Sequence, residues 1–268
     1  MSTGILSRTR RRLAGAGLLV VAAAAGWQFW IARPFPAAAP AFVFRDGFEH
    51  AVKMEDLFPR DFSRWHGWQR EAGTGATANE VALTTERVHS GAQALKCVAA
   101  PYDGHTASKA DIERGRLRFV KGDDVWFRGS YWLKGGTDAS LVFLWDLEST
   151  EWRNSPGRRL YLQNGETLAS DLGKWWSGKT FRAARGAPKF PKERWVELRV
   201  HLFLSENNDG RMEVWQDGTK VIDAIGKTLP TARTIYNRLQ VGLTANGNRT
   251  HPQTLFVDDI VLSNRPLE

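Results

Sequence analysis

Between Phe42 and the C-terminus the chain is written in short runs that alternate apolar and polar side chains, each run closed by a cluster of Gly, Asn, Asp or Pro. A period of two is the repeat of an extended strand, whose successive side chains point to opposite faces. The clearest runs are Ala94–Ala99, Ser108–Glu113, Asp124–Leu133, Leu141–Glu148, Arg159–Gln163, Trp195–Leu204, Arg211–Gln216, Lys220–Ala224, Arg238–Leu243 and Thr254–Leu262. Between them stand turn formers: Lys134-Gly135-Gly136, Asn164-Gly165, Asn207-Asn208-Asp209-Gly210, Asp217-Gly218 and Asn246-Gly247-Asn248. Asp217-Gly218 is a two-residue hairpin signal, because both positions accept a positive φ. Long helical stripes are absent, and Ala51–Arg64 holds at most one irregular turn. Strands at roughly ten-residue spacing predict an all-β, two-sheet antiparallel jelly-roll sandwich.

The N-terminus follows another rule. Residues 13–32 contain no charge and are bracketed by Arg12 and Arg33. Twenty uncharged residues match one membrane crossing, and the arginines before them place the remainder outside the cytoplasm. A cleaved signal peptide would use Leu13–Val21 as its apolar region, with small residues at Ala23–Ala25. An uncleaved anchor would use Trp27 and Trp30 as interfacial aromatics. Either way, residues 1–32 form a targeting or anchoring segment, 33–43 a stiff Pro/Ala-rich linker, and 44–268 the jelly-roll domain, periplasmic or extracellular.

Composition narrows the function. The net charge of +8 looks like a nucleic-acid footprint, yet five arginines and no acid lie in residues 1–44. The rest carries 32 basic against 29 acidic residues, so no nucleic-acid partner is expected. The single Cys97 excludes an intrachain disulfide and a Cys-rich zinc site. Twelve Trp is high for 268 residues. Adjacent Trp175 and Trp176, set among Gly, Lys and Ser, cannot both enter a core from a loop, so they are candidate platforms for sugar rings.

The order of several segments carries a resemblance. Pro191–Gly218 is a Trp-led strand, an Asn/Asp/Gly turn and a second strand ending in Trp-Gln before Asp-Gly. Upstream lie Ser90–Lys96 and Phe119–Leu133; downstream lie Val241–Ala245 and Leu255–Leu262. Together, over roughly residues 44–264, they resemble the concanavalin A-like jelly rolls, and among them the bacterial heparin lyase I and glucuronan lyase-like polysaccharide lyases. That resemblance implies a sugar-binding groove on a concave sheet and β-elimination at a uronic acid. The uronate carboxylate must be neutralised, and a base must reach the adjacent proton. No organic cofactor is required.

Alternation supplies the candidates. Lys109, Asp111 and Glu113 share one strand face. Lys109 and Asp111 stand where the related lyases carry Arg and Glu. Arg159, Tyr161 and Gln163 share another face, a row suited to a charged sugar. Lys109, Asp111 and Arg159, with Trp175 and Trp176, are the substrate-binding candidates; Tyr161 or His105 is the base or acid, and Gln163 the polar neutraliser. Asp146 and Glu148 share a face opposite Phe143 and Trp145, whereas the resemblance would place a His with Gln or Asn there. The pair also fits a salt bridge to Arg158 or Arg159, or the carboxylates of a retaining glycoside hydrolase. Glu197, Arg199 and His201 read as a solvated face; Trp126, Trp132, Trp145 and Trp215 read as core or inter-sheet packing. Glu49 and Asp258, on the first and last strands, are candidate ligands for structural Ca²⁺, which favours oxygen donors. The expected partner is an acidic polysaccharide, handled by a monomer. A non-catalytic carbohydrate-binding or envelope-scaffold domain is the competing reading.

Overall fold

The computed structural model describes residues 40–71, 79–150, 157–164, 166–173 and 179–267, and these lie in one compact unit, Ala37–Glu268. They form fifteen strands and one 3₁₀ turn, Met54–Leu57. The strands are β1 (Val43–Asp46), β2 (Gly67–Gln69), β3 (Glu80–Thr84), β4 (Ala94–Ala99), β5 (Ser108–Arg114), β6 (Asp124–Leu133), β7 (Val142–Glu148) and β8 (Arg158–Leu162). They continue as β9 (Leu168–Asp171), β10 (Phe181–Arg182), β11 (Trp195–Phe203), β12 (Arg211–Gln216), β13 (Thr219–Ile225), β14 (Arg238–Asn246) and β15 (Gln253–Ser263). One sheet runs β13-β12-β11-β6-β15-β4-β3, with β1 also on β15; the other runs β10-β9-β8-β7-β14-β5-β2. Every pairing between these strands is antiparallel. This is the all-β two-sheet jelly roll that the alternation implies. The N-terminal segment 13–32 lies outside the described residues, and among those described no helix is long and apolar enough to cross a membrane.

Alternation explains the layers. In β11, Val196, Leu198, Val200 and Leu202 are fully buried, while the residues between them are half-exposed. They meet Ile112, Trp145, Leu147, Leu239 and Val241 of the other sheet in one core. The turn from β12 to β13 has Asp217 at φ 48° and Gly218 at φ 77°, the paired positive values of a type I′ hairpin. Gly242 in β14 is needed for a different reason. A Cβ there would lie 2.8 Å from the Ala110 carbonyl oxygen and 2.9 Å from Cys97 Sγ, so the sheets approach too closely for a side chain.

Two readings of side-chain direction are corrected. Of the four tryptophans expected in the packing, Trp145 lies in the central core and Trp132 is buried as well, whereas Trp126 and Trp215 are half-buried. Trp126 stacks on His201 at 4.0 Å between ring centroids and faces Trp215 at 6.5 Å on the outer face of the eight-stranded sheet. Trp132 meets Phe256 edge-on. In β7 the pairing with β8 slips between Phe143 and Trp145. That bulge turns Phe143 to the Asp146 and Glu148 side, and strict alternation places it opposite.

Candidate functional site

The seven-stranded sheet turns an unusually polar face outward. Six residues on six neighbouring strands are cross-strand partners in one line: Gly67, Glu113, Gln240, Asp146, Arg159 and Asp171. Flanking this row, Gln69 pairs with Asp111, Phe143 with Tyr161, and Arg238 with Glu148. The fold thereby brings together Lys109, Asp111, Arg159 and Tyr161, which the sequence assigns to ligand contact or catalysis.

Side-chain bonds tie the row together. Gln240 and Gln69 each donate to Glu113 Oε1, at 2.7 and 2.9 Å. Lys109 Nζ donates to Gln69 Oε1 at 2.9 Å. Arg238 holds Glu148 at 2.6 Å and Glu113 at 3.0 Å. Arg159 holds Asp171 at 2.9 Å and lies 4.6 Å over the Phe143 ring, which stacks on Tyr161 at 4.7 Å. The Tyr161 hydroxyl has no hydrogen-bond partner among the described residues, so the phenol is positioned by its ring and its proton is uncommitted.

Burial sets the protonation of the carboxyls. Asp111 is fully buried and neither of its oxygens has a partner. Such a carboxyl is stable only with its proton, and desolvation raises its pKa well above the usual range. Asp146 is pushed up to about 7, by burial first and by Glu148 second; Thr244 donates to its Oδ1 at 3.0 Å. Glu148 is raised by burial too, against the pull of Arg238 and Lys109. Tyr161 is raised by burial and then by Asp171, which keeps it a phenol. Around neutral pH the face therefore offers protonated carboxyl and phenol donors beside fixed cations.

The remaining candidates are not tied into this network. Gln163 is beyond the end of β8, in the turn to β9, and donates to Thr167 Oγ1 at 2.9 Å. His105 is exposed on the β4–β5 loop, and its side chain has no polar contact among the described residues. Trp175 and Trp176 lie outside the described residues. Glu49 and Asp258 reach one turn, residues 89–93, from opposite sides. Glu49 accepts the Ala92 and Gln93 amides at 3.0–3.3 Å, and Asp258 accepts those of His89 and Ser90 at 3.0 and 3.2 Å. No three His, Cys, Asp or Glu side chains among the described residues gather as a metal cage. All four carboxylate oxygens of Glu49 and Asp258 accept backbone amides, those of this turn and, at Asp258 Oδ1, that of Asp259.

Five contributors, Gln69, Phe143, Asp171, Arg238 and Gln240, are absent from the sequence-derived site. For Arg238 and Gln240 the signal is present in RLQVGLTAN, since positions 238, 240, 242 and 244 share a face by alternation. Phe143 depends on the bulge, which nothing in the sequence marks.

Comparison with known proteins decides the family. A model of the polysaccharide lyase family matches residues 59–261. The chain belongs to the polysaccharide lyase family. Among solved structures, it is similar to an endo-β-1,4-glucuronan lyase from the fungus Trichoderma reesei, at 16% identity and TM-score 0.60 over 74% of this chain and 90% of that one. It is also similar to the cellulose induced protein Cip1, at 18% identity and TM-score 0.58 over 84% and 98% of the two chains. A third similar structure is an alginate lyase in complex with alginate tetrasaccharide, at 14% identity and TM-score 0.52 over 88% and 100%. No curated protein matches. At these identities the likeness extends to the fold.

Proposed function

We propose that this polysaccharide lyase family member is an extracytoplasmic enzyme that cleaves a uronate-containing polysaccharide by β-elimination on the outer face of the seven-stranded sheet. The observation carrying the reading is the six-strand polar row with Tyr161 beside it. Arg159 and neutral Asp146, direct cross-strand partners, bind the uronate carboxylate and draw charge from the carbon next to it. The proton on that carbon passes to a base, the glycosidic bond one carbon further breaks, and a double bond forms between the two carbons. Tyr161 gives its proton to the departing oxygen. His105 is the candidate base, carried by the loop that leads into Lys109; Lys109 attracts the polyanion, Asp111 supports its binding as a neutral group, and Gln163, Trp175 and Trp176 contact flanking sugars. The chain works as a monomer, held at or released from the membrane by residues 13–32. Ca²⁺ held by Glu49 and Asp258 would pin the segment after β1 and the last strand to the 89–93 turn.

The test is incubation with glucuronan, alginate and heparin, following the ultraviolet absorbance of unsaturated uronate ends. Absorbance growth on any one supports the reading; none on the whole panel sinks it. One feature favours a second reading: β7, in the middle of the row, presents two carboxyls and no imidazole. A non-catalytic carbohydrate-binding domain would bind these polymers saturably without generating product.

A further inference from the structure

Beside the polar row, where β5, β7 and β14 meet their loops, lies a cavity of about 370 Å³, lined by His66, Gly115, Arg116, Arg118, Asn237 and Arg238 among others. We infer that it is a distal subsite for the carboxylate of a second uronate residue, far enough from Tyr161 that the substrate must be a chain of several sugars. The inference rests on the reading that this face binds an acidic polysaccharide.

Several features build the site. Arg238 is clamped by Glu148 and Glu113, which fixes a planar guanidinium where the row opens into the cavity. His66 Nδ1 donates to the Glu113 carbonyl at 3.1 Å, so the imidazole is held in one orientation with Nε2 at its other edge. Its ring lies against Gly115, where an added Cβ would come within 2.6–2.9 Å of three ring atoms. Glycine is therefore required for the imidazole to sit there. Arg116 is a non-glycine residue at φ 57°, a conformation that costs backbone energy and recurs at ligand sites. Its guanidinium lies 3.9 Å over the Phe62 ring and makes no ion pair with the described residues. Arg118 adds a second exposed guanidinium, since Arg238 already commits Nε, Nη1 and Nη2 to Glu148 and Glu113. Guanidinium forks match a carboxylate in two parallel hydrogen bonds. Arg116 follows β5, three spacings or roughly 14 Å from β8 at about 4.8 Å each, and Tyr161 is level through Phe143 with Ala245 of β14, roughly 20 Å along that strand from Arg238. One sugar cannot touch Arg116 and Tyr161 together.

The test uses the full chain and calorimetry with alginate and glucuronan oligosaccharides of increasing length. For the unaltered protein, affinity rises with length. Arg116→Asn, which keeps a side chain tolerant of positive φ, removes most of that rise and weakens long-chain binding about tenfold, the worth of one charge-assisted hydrogen bond. Arg194→Gln, a lost charge on the other sheet, changes it less than twofold. Equal affinity in Arg116→Asn overturns the subsite, as does no binding of any oligosaccharide. Equal binding of a sulfated, uronate-free galactan overturns its carboxylate preference. Unsaturated product is followed in the same samples. Product with Arg116-independent affinity defeats the subsite and leaves the lyase reading; Arg116-dependent affinity without product supports the subsite and defeats the lyase reading.

Discussion

Replacing Asp146 by Asn is expected to stabilise the fold at alkaline pH and to do little in acid. In the native protein Asp146 is 5% exposed and its carboxyl is pushed up to about 7, against an ordinary value of 3.8. Between those values the unfolded chain has released the proton that the folded chain keeps. The folded state binds more protons, so wild-type stability falls as pH rises through this window. Above about pH 7 both states are ionised and the full cost of the buried anion is present. The rise from 3.8 to about 7 corresponds to about 4 kcal/mol, and structural relaxation with water entry trims this to about 2 kcal/mol. An amide carries no such cost, and its oxygen still accepts the Thr244 hydroxyl. Urea unfolding followed by Trp fluorescence, at about pH 4 and about pH 8.5, gives the difference between the two proteins. The variant should gain about 2 kcal/mol more, relative to wild type, at the higher pH. An equal difference at both pH values, or a larger loss in alkali, refutes the account of a desolvated carboxyl.

Tyr161→Phe should lower turnover by about 10²–10⁴-fold, as expected for a lost proton donor. Its denaturation midpoint should barely move, because the hydroxyl has no partner among the described residues; near-normal turnover counts against Tyr161 as the acid. Gly242→Ala should cost about 2–4 kcal/mol in urea unfolding, since the new methyl meets the Ala110 carbonyl and Cys97; a neutral substitution contradicts that close approach. Calorimetric melting with Ca²⁺ should exceed that with a chelator, and Glu49→Gln should abolish the difference; no shift in the wild type removes the cation from the proposal.

How far the sequence discloses this molecule depends on how much each feature relies on local period. β4, β6 and β12 begin and end where the alternation does, because each has one face in the core and one outside. β2 and β10 have three and two residues, too few to display a period, and their neighbours place them. β3 and β9 also escaped, and β9 is buried in three of its four positions, which erases the polar half of the alternation. The same limit governs the site. Alternation assigns Lys109, Asp111 and Glu113 to one face, yet says nothing of which strand lies beside them. Glu113 bonds Gln240 across 127 positions of sequence, a pairing decided by jelly-roll topology. His66 was invisible for both reasons: it precedes a three-residue strand and faces a loop glycine.

The row that reads as acidic in sequence is balanced once folded. It contains Asp111, Glu113, Asp146, Glu148 and Asp171 against Lys109, Arg159 and Arg238. Burial keeps the protons on Asp111 and, up to about pH 7, on Asp146. The three carboxylates left are each within 3.0 Å of an arginine, while Lys109 has no carboxylate within salt-bridge distance among the described residues and bonds a neutral amide instead. With Arg116 and Arg118 alongside, the face attracts a polyanion in neutral or mildly acidic solution. Ionising Asp146 adds a negative charge at the centre of the row and removes a donor to the uronate. Affinity for a polyuronate should therefore weaken by about tenfold as pH rises from about 6 to about 8 at fixed ionic strength, and in Asp146→Asn it should stay level. A wild-type affinity that is flat across this range means the carboxyl at the centre of the row does not face the sugar.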